Sequence, residues 1–285
     1  MSWTTSDRVV AVRKRSPAID VAVETLDGWR RHLSGRNASV LAFWSFLSIF
    51  PALLAATTIL GFLLQNNEQL QQDIVNGALA EIPVLNEQVG EDPTSLSGNV
   101  WALLIGLGGA LWSATRAFVG LQSSLDDIWE IDIDARSNLP AQRGKALAGI
   151  VLLGAAQVVS ITLTALVNRA ELPGSGRVLL TVGAVAINIA VIAVLYRLMT
   201  SASPTWRDVA PGAVIAGIAY SILQHSGTRI VKAISDNAGE TYGTFAIVLG
   251  IVTWLGFVAI ATLMSAELNA AIVRRRPTEQ PAIED

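Results

Sequence analysis

The chain has 285 residues, 52% hydrophobic and 15% charged, with a net charge of −3. It is too apolar for an ordinary soluble domain and fits a helical protein that crosses a membrane several times. Cysteine is absent and histidine occurs only at His32 and His225, which excludes disulfides, thiolate metal sites, cysteine nucleophiles and a histidine-rich metal cluster, so no cofactor or resident metal is expected.

Residues 1–39 read as a cytoplasmic tail, with Arg8, Arg13, Lys14 and Arg15, followed by an amphipathic helix over Ala18–Leu33. Ile19, Ala22, Val23, Leu26, Trp29 and Leu33 share one face, and Asp20, Glu24, Asp27, Arg30 and Arg31 fall mostly on the other. That pattern suits a helix in the membrane interface, or one packed on the protein's own surface. The first apolar run begins near Val40, after this basic segment, and is too long for the core of a signal peptide.

The first span is predicted at 40–64, with Pro51 near its middle. Proline removes a backbone donor and clashes with the preceding turn, so a kink is expected there, with Ser45 and Ser48 placed to satisfy freed groups. Between 65 and 98 there is no lysine or arginine, and Leu70, Ile74, Ala78 and Ile82 recur every fourth residue until Pro83. This predicts an extracytoplasmic helical segment between spans one and two.

The second span, 100–121, contains Arg116, and its helix is expected to continue through Leu125 and Ile128. An intramembrane arginine is costly and usually faces protein or a water-filled cavity. Asp126, Asp127, Glu130, Asp132 and Asp134 follow. Carboxylates adjacent in the chain do not by themselves converge on a cation, so they read as a solvated connector answering nearby arginines. Further spans are expected at 146–167, 178–199 with Asn188, 211–234 with Gln224, His225 and Arg229, and 244–264. The last helix should continue through Glu267 and Asn269 to Arg274, and residues 274–285 form a disordered cytoplasmic tail. The fold class is therefore all-α, a bundle of six transmembrane helices over 40–273. Lysine and arginine collect before the first span, between spans two and three, between four and five, and after the last. This places both termini in the cytoplasm.

Polar residues in or near spans are the candidates for function. Pro51, Arg116, Tyr242, Glu267 and Asn269 are expected to cluster around a polar cavity, with Arg116 and Glu267 both near the inner side and able to pair. His225 is a further candidate, since imidazole titrates near neutral pH where water reaches it. No G-x-S-x-G, H-E-x-x-H or G-x-x-x-x-G-K-[ST] motif occurs, so the protein is expected not to be an enzyme. The acidic outer segment and dispersed inner charges offer no phosphate-binding face, so nucleic acid is not expected as a partner.

Four blocks in order carry a family resemblance: A-F-W-S-F-L-S-I-F-P from Ala42, A-L-W-S-A-T-R-A-F-V-G-L-Q-S-S-L-D-D-I-W from Ala110, W-R-D-V-A-P-G-A-V-I-A-G from Trp206, and Y-G-T-F-A-I-V-L-G-I-V-T-W from Tyr242 followed by S-A-E-L-N-A. Together they resemble the YihY / virulence factor BrkB family of bacterial inner-membrane proteins over about Ala38–Val273. Ser265 stands where the family usually has glycine before the alanine and glutamate. The resemblance implies six spans and a cytoplasmic-membrane location. Some members carry the label ribonuclease BN, and a YhjD-like branch is associated with export of lipid precursors of the outer envelope. Arg116 and the arginine-rich end fit that branch. The expected function is transport or translocation of a lipid or amphiphilic envelope precursor, with membrane lipids as partners. The alternative is a non-catalytic scaffold for envelope integrity, working as a homo-oligomer or with an envelope partner, and a tRNA-processing nuclease comes last.

Overall fold

A computed structural model of the chain describes residues 10–11, 13, 16–64, 100–169, 174–242 and 245–276. They form seven α-helices and a short 3-10 turn, with no strand among the described residues: α1 (Pro17–Arg31), α2 (Ser34–Leu64), α3 (Val100–Ile128), the 3-10 turn Ile133–Ala135, α4 (Leu139–Arg169), α5 (Gly174–Leu198), α6 (Trp206–Tyr242) and α7 (Phe245–Arg274). The all-α reading holds among the described residues, and the predicted spans overlap α2–α7. Over the described residues three stretches are both long and apolar enough to cross a membrane: Leu103–Ile128 in α3, Thr181–Leu198 in α5 and the whole of α7. The predicted extracytoplasmic helix and the C-terminal tail from residue 277 lie outside the described residues.

Backbone contacts divide the chain into two compact units, residues 44–114 and the remainder. In the smaller unit α2 stays helical through Pro51. The Ser48 hydroxyl donates to the Ser45 carbonyl at 2.6 Å. Gly109 faces Pro51 so closely that an added Cβ would sit 3.1 Å from the proline Cβ. The Trp44 and Trp112 rings meet edge to face with centroids 5.5 Å apart, a favoured aromatic geometry.

In the larger unit α6 and α7 form the most extensive helix pair, with α5 against α6 and α1 against α7. Their contact begins at a proline. Pro211 has no N–H to give the Arg207 carbonyl, and its ring crowds that carbonyl. Arg276 reaches this carbonyl from the end of α7 at 3.4 Å. One turn on, Asn269 accepts from the Gly212 N–H at 2.6 Å and donates to the Val209 carbonyl at 3.1 Å. A buried amide thus satisfies the backbone that the proline loosens, as polar side chains do inside membrane bundles. Gly212 makes the approach possible, since a Cβ there would overlap the Ser265 carbonyl and the Asn269 side chain. Gly217 does the same against Ile189 of α5.

The core of this unit contains Leu125, Ile128, Ala146, Tyr196, Met199, Val209, Ala213, Leu263 and Ala266. The Tyr196 hydroxyl donates to the Thr262 carbonyl at 2.6 Å and the Trp254 indole to the Leu223 carbonyl at 2.9 Å. Large apolar side chains also point outward, among them Val151 at 70% and Ile222 at 60% exposure. Such surfaces are costly in water and suited to lipid.

The acidic stretch after α3 departs from the solvated connector expected from the sequence. Asp126 is buried and accepts from Thr200 Oγ1 at 2.9 Å, the Ser201 N–H at 2.7 Å and Ser201 Oγ at 3.1 Å. It ties the end of α3 to the end of α5, because a buried carboxylate needs several donors. Asp127 does answer a nearby arginine, Arg136, at 2.8 Å.

The glycine contacts predict opposite signs for two alanine substitutions. Gly212→Ala should destabilise the protein by about 1–3 kcal/mol through overpacking. Gly256→Ala, whose Cβ meets nothing within 4 Å, should be neutral or stabilising by up to about 1 kcal/mol. Unfolding of both variants in one detergent checks this.

Candidate functional site

Glu267 is the most deeply placed charge-bearing group described. Its side chain is 0% exposed, two turns before the end of α7. Its partners come from the junction of α1 and α2, far away in sequence. Ser34 Oγ, the first hydroxyl of α2, donates to Glu267 Oε1 at 2.6 Å. His32 Nδ1 stands 3.0 and 3.1 Å from the two carboxylate oxygens.

Local sequence explains how these groups arrive there. Ser16 caps α1 by accepting from the Ala18 N–H at 3.3 Å, with Pro17 in the first turn and Asp20 close behind it. The helix stops at His32, whose N–H bonds to the Gly28 carbonyl at 2.8 Å. Leu33 takes φ 54°, and α2 starts at the next residue. This two-residue corner points His32 and Ser34 at the same carboxylate. Gly28 supplies the space, because an added Cβ would overlap Glu267 Oε2 and lie 3.5 Å from Arg274 Nη2.

A ring of ion pairs surrounds the buried group. Glu130 Oε1 is 3.0 Å from Arg31, 3.2 Å from Arg274 Nη1 and 3.4 Å from His32 Nε2. Arg274 also lies 3.8 Å from Glu24, Arg13 binds Glu24 at 3.0 Å, and Asp20 pairs with both Arg13 and Arg275. Glu130 itself sits at φ 55°. It is the left-handed residue that ends α3, with the Ile131 N–H bonding back to Asp126 O at 2.9 Å and the Glu130 N–H to Asp127 O at 3.1 Å. Glycine would adopt this conformation without strain. A glutamate there gives up that ease, and its carboxylate meets three cationic or ionisable groups.

Magnitudes rank these contacts. The half-exposed pairs of Glu130 are each worth at most about 1 kcal/mol. Leaving a buried carboxylate short of a hydrogen-bond donor typically costs about 1–3 kcal/mol or more. The weight at this end of the unit therefore falls on Glu267, His32 and Ser34. Nearby, Arg276 pairs with Asp208 at the start of α6. Burial opposes ionisation of Asp208, but hydrogen bonds from Thr205 and the Arg276 guanidinium outweigh it and hold the carboxyl below the usual carboxylate range.

The other sequence candidates are distributed as follows. Asn269 is buried two residues from Glu267 but turned to α6, so the two do not share partners. Arg116 is exposed on α3, and Glu267 is held by His32 and Ser34 rather than by it. Pro51 belongs to the smaller unit, against Gly109. The side chains of His225 and Tyr242 lie outside the described residues. Asn188 Nδ2 donates to Ser221 Oγ at 3.0 Å across α5 and α6. Sequence reasoning missed His32, Ser34, Gly28 and Glu130. The abrupt end of an amphipathic helix at H-L-S, directly before an apolar run, was the available signal.

A second polar feature lies along α6. Val214, Ile215, Ile218 and Ile222 are exposed in its first half, whereas Gln224, Arg229 and Lys232 are exposed in its second.

The family model described as virulence factor BrkB matches residues 25–285. The chain belongs to this family. Among relatives of this BrkB-family protein, the Bacillus subtilis (strain 168) protein YfkH, whose name calls it ribonuclease-like, is 23% identical over 90% of this chain and 98% of its own length. The inner membrane protein YhjD of Escherichia coli (strain K12) is 20% identical over 92% of this chain and 82% of its own. A UPF0761 membrane protein of Alteromonas mediterranea is 24% identical over 83% and 82%. No solved structure matches at a significant level. The matched region takes in the Glu267 centre with its partners from α1, α2 and α3, and the protein is a membrane protein of the BrkB family.

The role of Gly28 can be checked by substitution. Gly→Ala inside a helix ordinarily gains about 1 kcal/mol. Here Gly28→Ala should lower the unfolding temperature, because the new methyl displaces the Glu267 carboxylate from His32 and Ser34. In a Glu267→Ala background the same change should become neutral or stabilising.

Proposed function

We propose that this protein is an inner-membrane translocator of a lipid or amphiphilic envelope precursor with an anionic headgroup. It acts without catalysis, crosses the membrane six times through α2–α7, and keeps both termini in the cytoplasm. The observation that carries the reading is the exposure pattern of α6. Its first half offers branched apolar side chains to the surroundings, which suits acyl chains. Its second half offers Gln224, Arg229 and Lys232. Cations in a membrane helix need water, a counter-charge or a phosphate, and an amphiphile supplies the last beside its own tails.

Helix α1 agrees with a place at the inner interface. Its acidic side is engaged by Arg274 at the end of α7 and by Arg275 just after it, and Ile19, Ala22 and Leu26, with Leu33 at the following corner, remain exposed. That apolar stripe lies on the side away from the protein, where a lipid surface would cover it. A nuclease reading, prompted by the name of one relative, would look to the carboxylates after α3. Asp126 is spent on Thr200 and Ser201, and Asp127 on Arg136, which argues for structural roles. The scaffold reading draws on the same ties and on the Asn269 bridge between α6 and α7.

The test is translocation of a headgroup-labelled anionic phospholipid in proteoliposomes, read by access to an external quencher. Wild type should exceed empty vesicles by about tenfold or more, and the Arg229→Gln/Lys232→Gln pair should lose most of that excess. A rate equal to that of empty vesicles would sink the translocator reading in favour of the scaffold. RNA cleavage lost in an Asp126→Ala/Asp127→Ala variant would reinstate the nuclease.

A further inference from the structure

We infer that Glu130, His32 and Glu267 form a proton-relay site, and that the proton is the ion coupled to translocation. The coupling rests on the transport reading, but the relay does not.

The imidazole lies between two carboxylates of unlike surroundings. On one side Nδ1 faces Glu267, wholly buried, at 3.0 and 3.1 Å. On the other Nε2 faces Glu130 Oε1 at 3.4 Å, and the Glu130 side chain is 49% exposed. The His32 side chain is 8% exposed, and its Nε2 is buried without a hydrogen-bond partner. A buried ring nitrogen left unbonded 3.4 Å from a carboxylate oxygen is an uncommon arrangement, because unsatisfied polar atoms are costly. A proton on Nε2 resolves it by making a charge-assisted donor toward Glu130.

Two carboxylates stand against His32, Glu130 from the end of α3 and Glu267 from α7; around them Arg31 of α1 and Arg274 of α7 pair with Glu130, and both also approach Glu24 of α1. The two arginines engage Glu130 and hold it in place on the solvent side. Among the described residues the imidazole and the Ser34 hydroxyl bond Glu267 directly, and the Arg274 guanidinium stands nearby across the space left at Gly28.

The transfer balances. The relay starts with neutral His32 donating through Nδ1 to ionised Glu267. A proton arriving from Glu130 or solvent binds Nε2 and gives the imidazolium. The Nδ1 proton then passes to Glu267, leaving a neutral carboxylic acid and a neutral imidazole in its other tautomer. Reversal restores the start. One proton is thereby carried from the exposed edge to a buried carboxyl on α7. The same step replaces the ionic grip on the α1–α2 corner with a neutral hydrogen bond, which is how proton occupancy reaches the helix packing.

Because the chain has two histidines, the site can be observed directly. Full-length protein carrying His225→Gln and 15N-labelled histidine, in lipid nanodiscs, gives imidazole signals from His32 alone. Across pH 5 to 9 the tautomer pattern and shifts of these signals should differ from wild type in Glu130→Gln and again in Glu267→Gln, since each removes a carboxylate standing against one ring nitrogen. Glu130→Gln alters a half-exposed residue and keeps the test open if Glu267→Gln does not fold. No movement in Glu130→Gln overturns the relay, and so does no movement in a folded Glu267→Gln. In proteoliposomes an imposed pH gradient should change lipid translocation by wild type and not by His32→Gln. A gradient effect equal in both overturns the coupling. Absence of translocation at every gradient, with the imidazole response intact, overturns the transport reading and the coupling but leaves the proton site standing.

Discussion

A carboxylate without exposure at the end of an apolar helix sets the terms for everything around it. Glu267 must either meet donors or give up its charge. The chain meets the demand by ending α1 at His32, turning through Leu33 at φ 54° and beginning α2 with Ser34. Gly28 leaves space for the carboxyl, and Arg274, on the same face of α7 two turns later, secures Glu130 on the outer side. The corner after the N-terminal helix and the last helix are joined through this group, and the end of α3 is joined to both through Glu130.

The same economy appears at the start of α6. Pro211 loosens the first turns, and α7 supplies Asn269 and Arg276 to the freed backbone. Glu267 and Asn269 are both buried although they are two residues apart, and so face different neighbours, because α7 is packed on more than one side. At this end α7 is packed on two faces, whereas Phe257 and Ile260 earlier in the helix are exposed.

The helices were legible in the sequence because long apolar runs have one good solution in a membrane. Glu267, Asn269 and Arg116 stood out as polar residues at or near the spans. What could not be read was which of them meet. Arg116 and Glu267 invite pairing by charge, yet the groups that hold the glutamate are 233 and 235 residues away in sequence. A histidine between two helices carries no periodic signal, and positive φ at a leucine and a glutamate contradicts the glycine preference by which such corners are found. Asp126 was read as a solvated acid because its neighbours are acidic, whereas Thr200 and Ser201, which bury it, come from the far end of α5.

The measurement that tests the central role of Glu267 most directly is a double-mutant cycle on unfolding free energy, using His32→Gln, Glu267→Gln and the pair in one detergent or nanodisc. If the buried carboxylate and the imidazole form the joint between the α1–α2 corner and α7, the single changes will each be costly. The pair will then fall short of their sum by about 1–3 kcal/mol. Effects that add to within about 0.5 kcal/mol would show that the two side chains do not support one another, and would contradict the joint.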